Sequence, residues 1–90
     1  MRKSIHKPEY LALLAMVRKQ RTACGMTQTA LSEALARPQP YISTIETGVR
    51  RLDVVELREI CQVLGVSIVD LIGDWDAEIR SRARRPQRKS

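Results

Sequence analysis

Aromatic side chains are scarce in this 90-residue sequence: they make up 3% of it, and phenylalanine does not occur. The core must therefore be aliphatic, and the length allows one domain. The longest apolar run, residues 11–17, is too short to cross a bilayer. The N-terminus shows no small-residue cleavage site, so we expect neither a membrane span nor an export signal.

Cysteine and histidine are also rare. Cys24 and Cys61 are the only cysteines, they lack the spacing of metal ligands, and His6 is the only histidine. We predict two buried thiols in a cytoplasmic protein, with no metal site and no cofactor. A hydrolytic triad needs a histidine beside a nucleophile, and His6 lies near the chain terminus. We therefore do not expect an enzyme.

The positive charge is concentrated at one end of the chain. The net charge is +6, and the last 11 residues hold six arginine or lysine residues and no acidic residue. Residues 1–79 are formally neutral and form the predicted domain. Residues 80–90 read as a separate, disordered basic tail, which either improves solubility or binds phosphate without regard to sequence.

Apolar residues recur at helical spacing along most of the chain. Start and stop signals divide it into five predicted helices, bounded by Pro8 and Gly25, Thr27 and Leu35, Pro38 and Gly48, Asp53 and Gly65, and Ser67 and Ile72. Gly73 is expected to interrupt the last of them. Short helices with short connections predict an all-α, compact five-helix bundle.

The second and third predicted helices are short and closely connected, which is the geometry of a helix-turn-helix. Proline is tolerated at the start of the third helix, where backbone N–H groups have no helical partner. Gln39 lies between the two prolines, and an amide can bond an adenine edge with both its donor and its acceptor. Ser43 and Thr44 follow one turn later. Neutral polar side chains suit base reading, although a generic polar surface remains an equal interpretation.

From about Val17 to Ile72 the chain resembles the Cro/cI-type (XRE) helix-turn-helix family of phage and bacterial repressors. The resemblance is carried by "R--CGMTQTALSEAL", "RPQPYISTIETGVRRLD" and "VLGVSIVDLI". It implies the lambda-repressor-like fold, with the helix-turn-helix formed by the second and third helices. It also implies a small, repressor-like transcriptional regulator that binds double-stranded DNA with its recognition helix in the major groove.

The resemblance assigns roles to individual residues. The base-contacting positions are Gln39, Pro40, Ser43 and Thr44. The phosphate-contacting positions are Gln28, Arg21, Arg37, Tyr41, Arg50 and Arg51. Arg21 and Glu46 match a pair that ties the first helix to the third, either purely structurally or with the arginine also near phosphate. Ala36 replaces the family's turn glycine, so we expect a less strained turn, and Pro40 replaces a residue able to bond a base.

A module of this size reads few base pairs, so we expect a homodimer on a two-fold symmetric operator. The predicted interface comprises Val69, Ile72, Trp75 and Ile79. In the alternative, Trp75 caps the core of its own domain. We expect a bacterial or phage-encoded, nucleoid-associated protein in the cytoplasm. The rival function is an antitoxin-like or adaptor module that binds a protein, with DNA binding secondary.

Overall fold

A computed structural model describes residues 7–84 of the chain. Over this range the chain forms α1 (Pro8–Ala23), α2 (Gln28–Ala34), α3 (Tyr41–Glu46), α4 (Val54–Leu64) and α5 (Ile68–Arg84), and no strand. The predicted all-α five-helix bundle is confirmed. None of the helices in the described range is long and apolar enough to span a membrane.

All five helices contribute to a single aliphatic core. Its members, apart from Tyr41, are small or branched side chains: Leu14, Val17, Leu31, Ile42, Ile45, Leu52, Leu57, Ile60, Cys61, Leu64 and Leu71. Burying one such leucine or isoleucine stabilises the fold by about 1.5–3 kcal/mol. The predicted aliphatic core is therefore present; within it α2 and α3 pack on each other, α3 packs on α1 and α2 packs on α4.

The boundaries of α4 follow from local chemistry. The Asp53 carboxylate accepts a hydrogen bond from the Glu56 backbone N–H at 2.7 Å, and the Glu56 carboxylate accepts one from the Asp53 N–H at 3.1 Å. This reciprocal arrangement is the predicted capping box. At the other end Gly65 adopts a left-handed φ of 72° and closes the helix.

The predicted interruption of the fifth helix at Gly73 is wrong, because α5 continues to Arg84. A glycine inside a helix costs about 1 kcal/mol relative to alanine, which tertiary packing can offset. The packing here comes from α1: the Trp75 indole N–H donates to the Glu9 carbonyl at 2.8 Å. That contact anchors α5 beyond the glycine.

The first part of the predicted tail is helical rather than irregular. Residues 80–84 form the last turn and a half of α5. Two ion pairs at i, i+4 spacing support this end, Arg80 with Asp76 at 3.1 Å and Arg82 with Glu78 at 2.8 Å. The remainder of the predicted tail lies outside the described residues.

The turn between α2 and α3 contains a residue in an unfavourable conformation. Ala36 has a φ of 57°, in the left-handed region that favours glycine. Its N–H donates to the Glu33 carbonyl at 2.9 Å, and the Arg37 N–H donates to the Ser32 carbonyl at 3.0 Å. These are the two bonds of a Schellman motif. The expected less strained turn is therefore wrong: the alanine adopts the conformation that glycine would have supplied.

Candidate nucleic-acid interface

Polar side chains from α2 and the start of α3 meet on one face of the domain. Together with one proline they line a shallow cleft, which we call the reading surface: Gln28, Thr29, Gln39, Pro40 and Ser43. The structure thus brings together three of the four predicted base-contacting residues and one of the predicted phosphate-contacting residues. Thr29 was not predicted, because a threonine one residue into a helix carries no distinctive pattern.

Gln39 is exposed at the N-terminal end of α3. Its amide nitrogen donates to the Thr29 hydroxyl at 3.3 Å, across the gap between the two helices. A glutamine amide has two N–H donors and one carbonyl acceptor, so this contact leaves one donor and the acceptor for a further partner. Those two groups are the pair that an adenine edge requires.

Ser43 and Thr44 use their hydroxyl protons within α3. Ser43 donates to the Pro40 carbonyl at 3.0 Å, and Thr44 donates to the Tyr41 carbonyl at 2.8 Å. Each hydroxyl oxygen keeps acceptor capacity. In this arrangement the two side chains can accept a hydrogen bond from a base amino group, and the threonine also offers a methyl group.

Arg21 and Glu46 form the predicted pair between α1 and α3. The guanidinium binds both carboxylate oxygens, at 2.6 and 3.0 Å, and the two side chains are only 8% and 4% exposed. The remaining terminal nitrogen of Arg21 donates to the Met26 carbonyl at 2.8 Å. All three nitrogens of Arg21 thus donate inside the protein, so this geometry argues against its predicted phosphate contact.

The Gln28 amide joins this network by donating to Glu46 at 2.9 Å. Glu46 therefore connects the end of α3 to α1 and to the start of α2. Gln28 remains half-buried at the edge of the reading surface, and its predicted phosphate contact stays a prediction.

Tyr41 is buried beneath two arginines. The guanidinium carbons of Arg37 and Arg50 lie 4.9 and 5.3 Å from the centre of its ring, and the residue is 7% exposed. Burial, followed by the nearby Glu56 carboxylate, raises the pKa of the Tyr41 phenol. The ring supports the arginines through cation–π contacts, and its burial argues against the predicted packing of Tyr41 on a sugar or phosphate.

The three other predicted phosphate-contacting arginines differ in their surroundings. Arg50 is hydrogen-bonded to the Glu56 carboxylate, and that bond raises the pKa of Arg50. Arg37 is exposed and 3.8 Å from Glu59, a separation at which a surface ion pair contributes little. Arg51 is exposed, with its guanidinium carbon 5.6 Å from the centre of the Tyr10 ring. Arg37 and Arg51 are therefore the freer cations.

The four residues predicted to form a dimer interface differ in their exposure. Val69 is 76% exposed. Ile72 packs partly against the core, Trp75 is half-buried against α1, and Ile79 is half-buried. Trp75 contacts α1 of its own domain through a hydrogen bond to the Glu9 carbonyl, and both the predicted dimer contact and the alternative, a cap on the core, stay predictions.

The two cysteines also differ from the prediction of two buried thiols. Cys61 is buried, and desolvation raises the pKa of its thiol. Cys24 is exposed, and its thiol donates to the Leu64 carbonyl at 3.3 Å. Cys24 lies just past the end of α1, so the spacing that buries Val17 and Arg21 no longer applies to it.

Within residues 7–84, histidine, cysteine and acidic side chains form no group able to hold a metal ion. His6 lies outside this range.

The chain is similar in sequence and in structure to known helix-turn-helix proteins. Residues 17–71 match the model of a family described as Helix-turn-helix. The chain is 38% identical, over 52 residues, to the uncharacterized HTH-type transcriptional regulator y4dJ of Sinorhizobium fredii (strain NBRC 101917 / NGR234), a match covering 58% of this chain and 68% of that protein. The structure of an XRE-family like protein from Pseudomonas syringae pv. tomato str. DC3000 superimposes with a TM-score of 0.78 and 37% identity, covering 83% of this chain and 92% of that one.

Proposed function

This chain belongs to the XRE-type helix-turn-helix family of DNA-binding transcriptional regulators, and from that premise we propose that it is a repressor-like protein that binds a two-fold symmetric operator as a homodimer. The observation that carries the proposal is the reading surface, where the neutral polar side chains of Gln28, Thr29, Gln39 and Ser43 line one cleft. In this proposal α3 enters the major groove, where each base pair presents a distinct pattern of donors and acceptors.

Base reading is assigned to the start of α3. Gln39 supplies a donor and an acceptor to an adenine, and Ser43 and Thr44 supply hydroxyl acceptors further along the helix. Pro40 lies between them and offers an apolar surface, which suits contact with a thymine methyl group. Charged residues at these positions would bind phosphate regardless of sequence, so their absence from this part of α3 supports selectivity.

Phosphate binding is assigned to residues that flank the reading surface. Gln28 lies at its edge, and Arg37 and Arg51 are exposed cations on the connections before and after α3. We propose that the basic C-terminal residues, 80–90, add a sequence-independent contribution. Such contacts release counterions, so they make the affinity fall steeply as salt increases.

The two-fold contact is assigned to the exposed side of α5. Val69 is a large apolar side chain that is 76% exposed, and burying it against a second copy would remove this surface from water. Replacing Val69 with aspartate should shift a dimer towards monomer in analytical ultracentrifugation. The matched control is Val55→Asp, which changes a valine of α4 that is 63% exposed and should leave the assembly unchanged. Equal behaviour of the two variants would place the interface elsewhere.

Selection of bound sites from a random duplex pool tests the proposal as a whole. We expect two inverted half-sites, with centres separated by about one helical turn or a multiple of it. An enriched site without symmetry would contradict the two-fold arrangement. A selection that enriches nothing would contradict sequence-specific binding and favour the antitoxin-like or adaptor function.

Gln39→Ala tests base reading on the selected site. We expect a loss of roughly 1–3 kcal/mol of binding free energy on that site, with relaxed discrimination at one base pair. Gln62→Ala is the matched control, because Gln62 is an exposed glutamine on α4 that lies outside the reading surface. Affinities come from fluorescence anisotropy at one fixed salt concentration. An equal loss on every duplex would mean that Gln39 contacts the backbone instead.

A further inference from the structure

The first turn of α3 is capped by a residue of another helix. Pro40 occupies the N-cap position and has no side-chain acceptor to offer the backbone. The Ile42 N–H nevertheless has a partner, because it donates to the hydroxyl oxygen of Ser32 on α2 at 3.1 Å. Ser32 is 0% exposed and Ile42 1%, so water does not compete for this bond.

The backbone of the same serine closes the preceding turn. The Ser32 carbonyl accepts from the Leu35 N–H at 3.1 Å and from the Arg37 N–H at 3.0 Å. Ser32 thus holds both the end of α2 and the start of α3. A cap supplied by a residue of α3 itself would satisfy the same N–H group without relating one helix to the other.

We propose that Ser32 is a positioning residue for base recognition, fixing where α3 lies relative to α2. This inference rests on the proposed function. The consequence lies on the reading surface, where the same juxtaposition of helices brings the Gln39 amide within 3.3 Å of Thr29. Recognition groups need to be held within about 0.5 Å of their productive geometry. Without the Ser32 hydroxyl the buried Ile42 N–H loses its acceptor, and this cost favours a shift of α3 towards another acceptor.

Ser32→Ala is compared with Ser67→Ala, which removes a serine cap with a hydrogen bond of equal length from a different helix. Ser67 accepts from the Asp70 N–H at 3.1 Å at the start of α5, on an exposed surface. The measured quantity is the discrimination ratio: the Kd on a duplex with one base pair of the selected site changed, divided by the Kd on the intact site. It is determined for each variant at a temperature where circular dichroism shows the protein fully folded.

One changed base pair typically weakens binding by about 5- to 150-fold. We expect Ser32→Ala to reduce this ratio by about fivefold or more, because a displaced Gln39 loses the geometry that distinguishes bases. Ser67→Ala should keep the ratio within about twofold of the unmodified protein, since its cap lies away from the reading surface. A merely structural role for Ser32 would lower the melting temperature and leave the ratio unchanged.

A second variant and a second measurement cover the case in which Ser32→Ala does not fold. Ser32→Cys keeps a side chain of similar shape but offers a weaker acceptor. Its discrimination ratio should therefore fall between that of Ser32→Ala and that of the unmodified protein. Hydrogen exchange of the unmodified protein should show the Ile42 amide as protected as the core amides of α4. Rapid exchange at Ile42 would overturn the cap itself.

The outcomes separate this inference from the function on which it rests. An unmodified protein that fails to distinguish the selected site from its altered forms overturns both. If the unmodified protein discriminates, the positioning role alone is overturned by either of two results. One is a discrimination ratio for Ser32→Ala equal to that of the unmodified protein, and the other is an undiminished ratio for Ser32→Cys.

Discussion

Replacing Ala36 with glycine should stabilise the domain, even though the substitution removes a methyl group and makes no new contact. Ala36 has a φ of 57° in the turn between α2 and α3. The left-handed region costs an L-residue roughly 1–2 kcal/mol, and glycine is free of that cost. Glycine also increases the conformational entropy of the unfolded chain, which offsets about 0.4–1 kcal/mol of the gain.

The net expectation is a gain of about 0.5–1 kcal/mol in the free energy of unfolding. For a domain of this size that corresponds to a rise of about 2–8 °C in melting temperature. Ala36 is exposed, so little buried apolar surface is lost with its methyl group. Thermal and urea unfolding followed by circular dichroism at 222 nm measure both quantities.

Ala34→Gly is the matched control. Ala34 is also exposed but is the last residue of α2, where the backbone is helical. Glycine there should destabilise the domain by up to about 1 kcal/mol, so the same chemical change has opposite signs two residues apart. A Tm for Ala36→Gly equal to or below that of the unmodified protein would refute the assignment of strain to this turn.

Three further substitutions or reactions test other parts of the fold. Gly73→Ala should raise the free energy of unfolding by up to about 1 kcal/mol, because the site is helical and an added Cβ meets no atom within 4 Å; destabilisation in urea would show that α5 bends there. Asp53→Ala should cost about 0.5–2 kcal/mol in the same assay through loss of the capping box, and an unchanged midpoint would contradict that bond. With iodoacetamide at pH 8, mass spectrometry should find Cys24 alkylated before Cys61, since burial raises the pKa of the Cys61 thiol; simultaneous alkylation would contradict this burial.

Elements defined by neighbouring residues were predictable from the sequence. The start of α4 follows from an aspartate and a glutamate three residues apart, and its end follows from Gly65. Both signals act within one turn of the chain, so no tertiary information is needed. The extension of α5 past Gly73 depends on the Trp75 contact with Glu9, 66 residues away. The residues around Gly73 do not indicate this contact.

In the candidate site, too, some features follow from neighbouring residues and others depend on tertiary contacts. Gln39 could be placed on the surface because the prolines beside it mark a helix start. The family resemblance assigned Arg21 and Tyr41 to phosphate. The structure instead buries Arg21 against Glu46, 25 residues away, and buries Tyr41 beneath Arg37 and Arg50. Ser32 was overlooked because a small residue on the inner side of α2 reads as ordinary packing. Only the distance to the Ile42 N–H reveals an acceptor there.

The length of α3 explains why such supports are needed. A helix of six residues is not stable alone, so neighbouring helices must fix its orientation. Apolar contacts of Ile42 and Ile45 bury the helix, but contacts of this kind are non-directional and tolerate small shifts. Directional bonds occur at both ends, from Ser32 at the start and from Arg21 at the end. An apolar replacement of the buried ion pair could keep the stability. We expect that it would not keep the angle at which α3 presents its polar face, and the proposed base recognition depends on that angle.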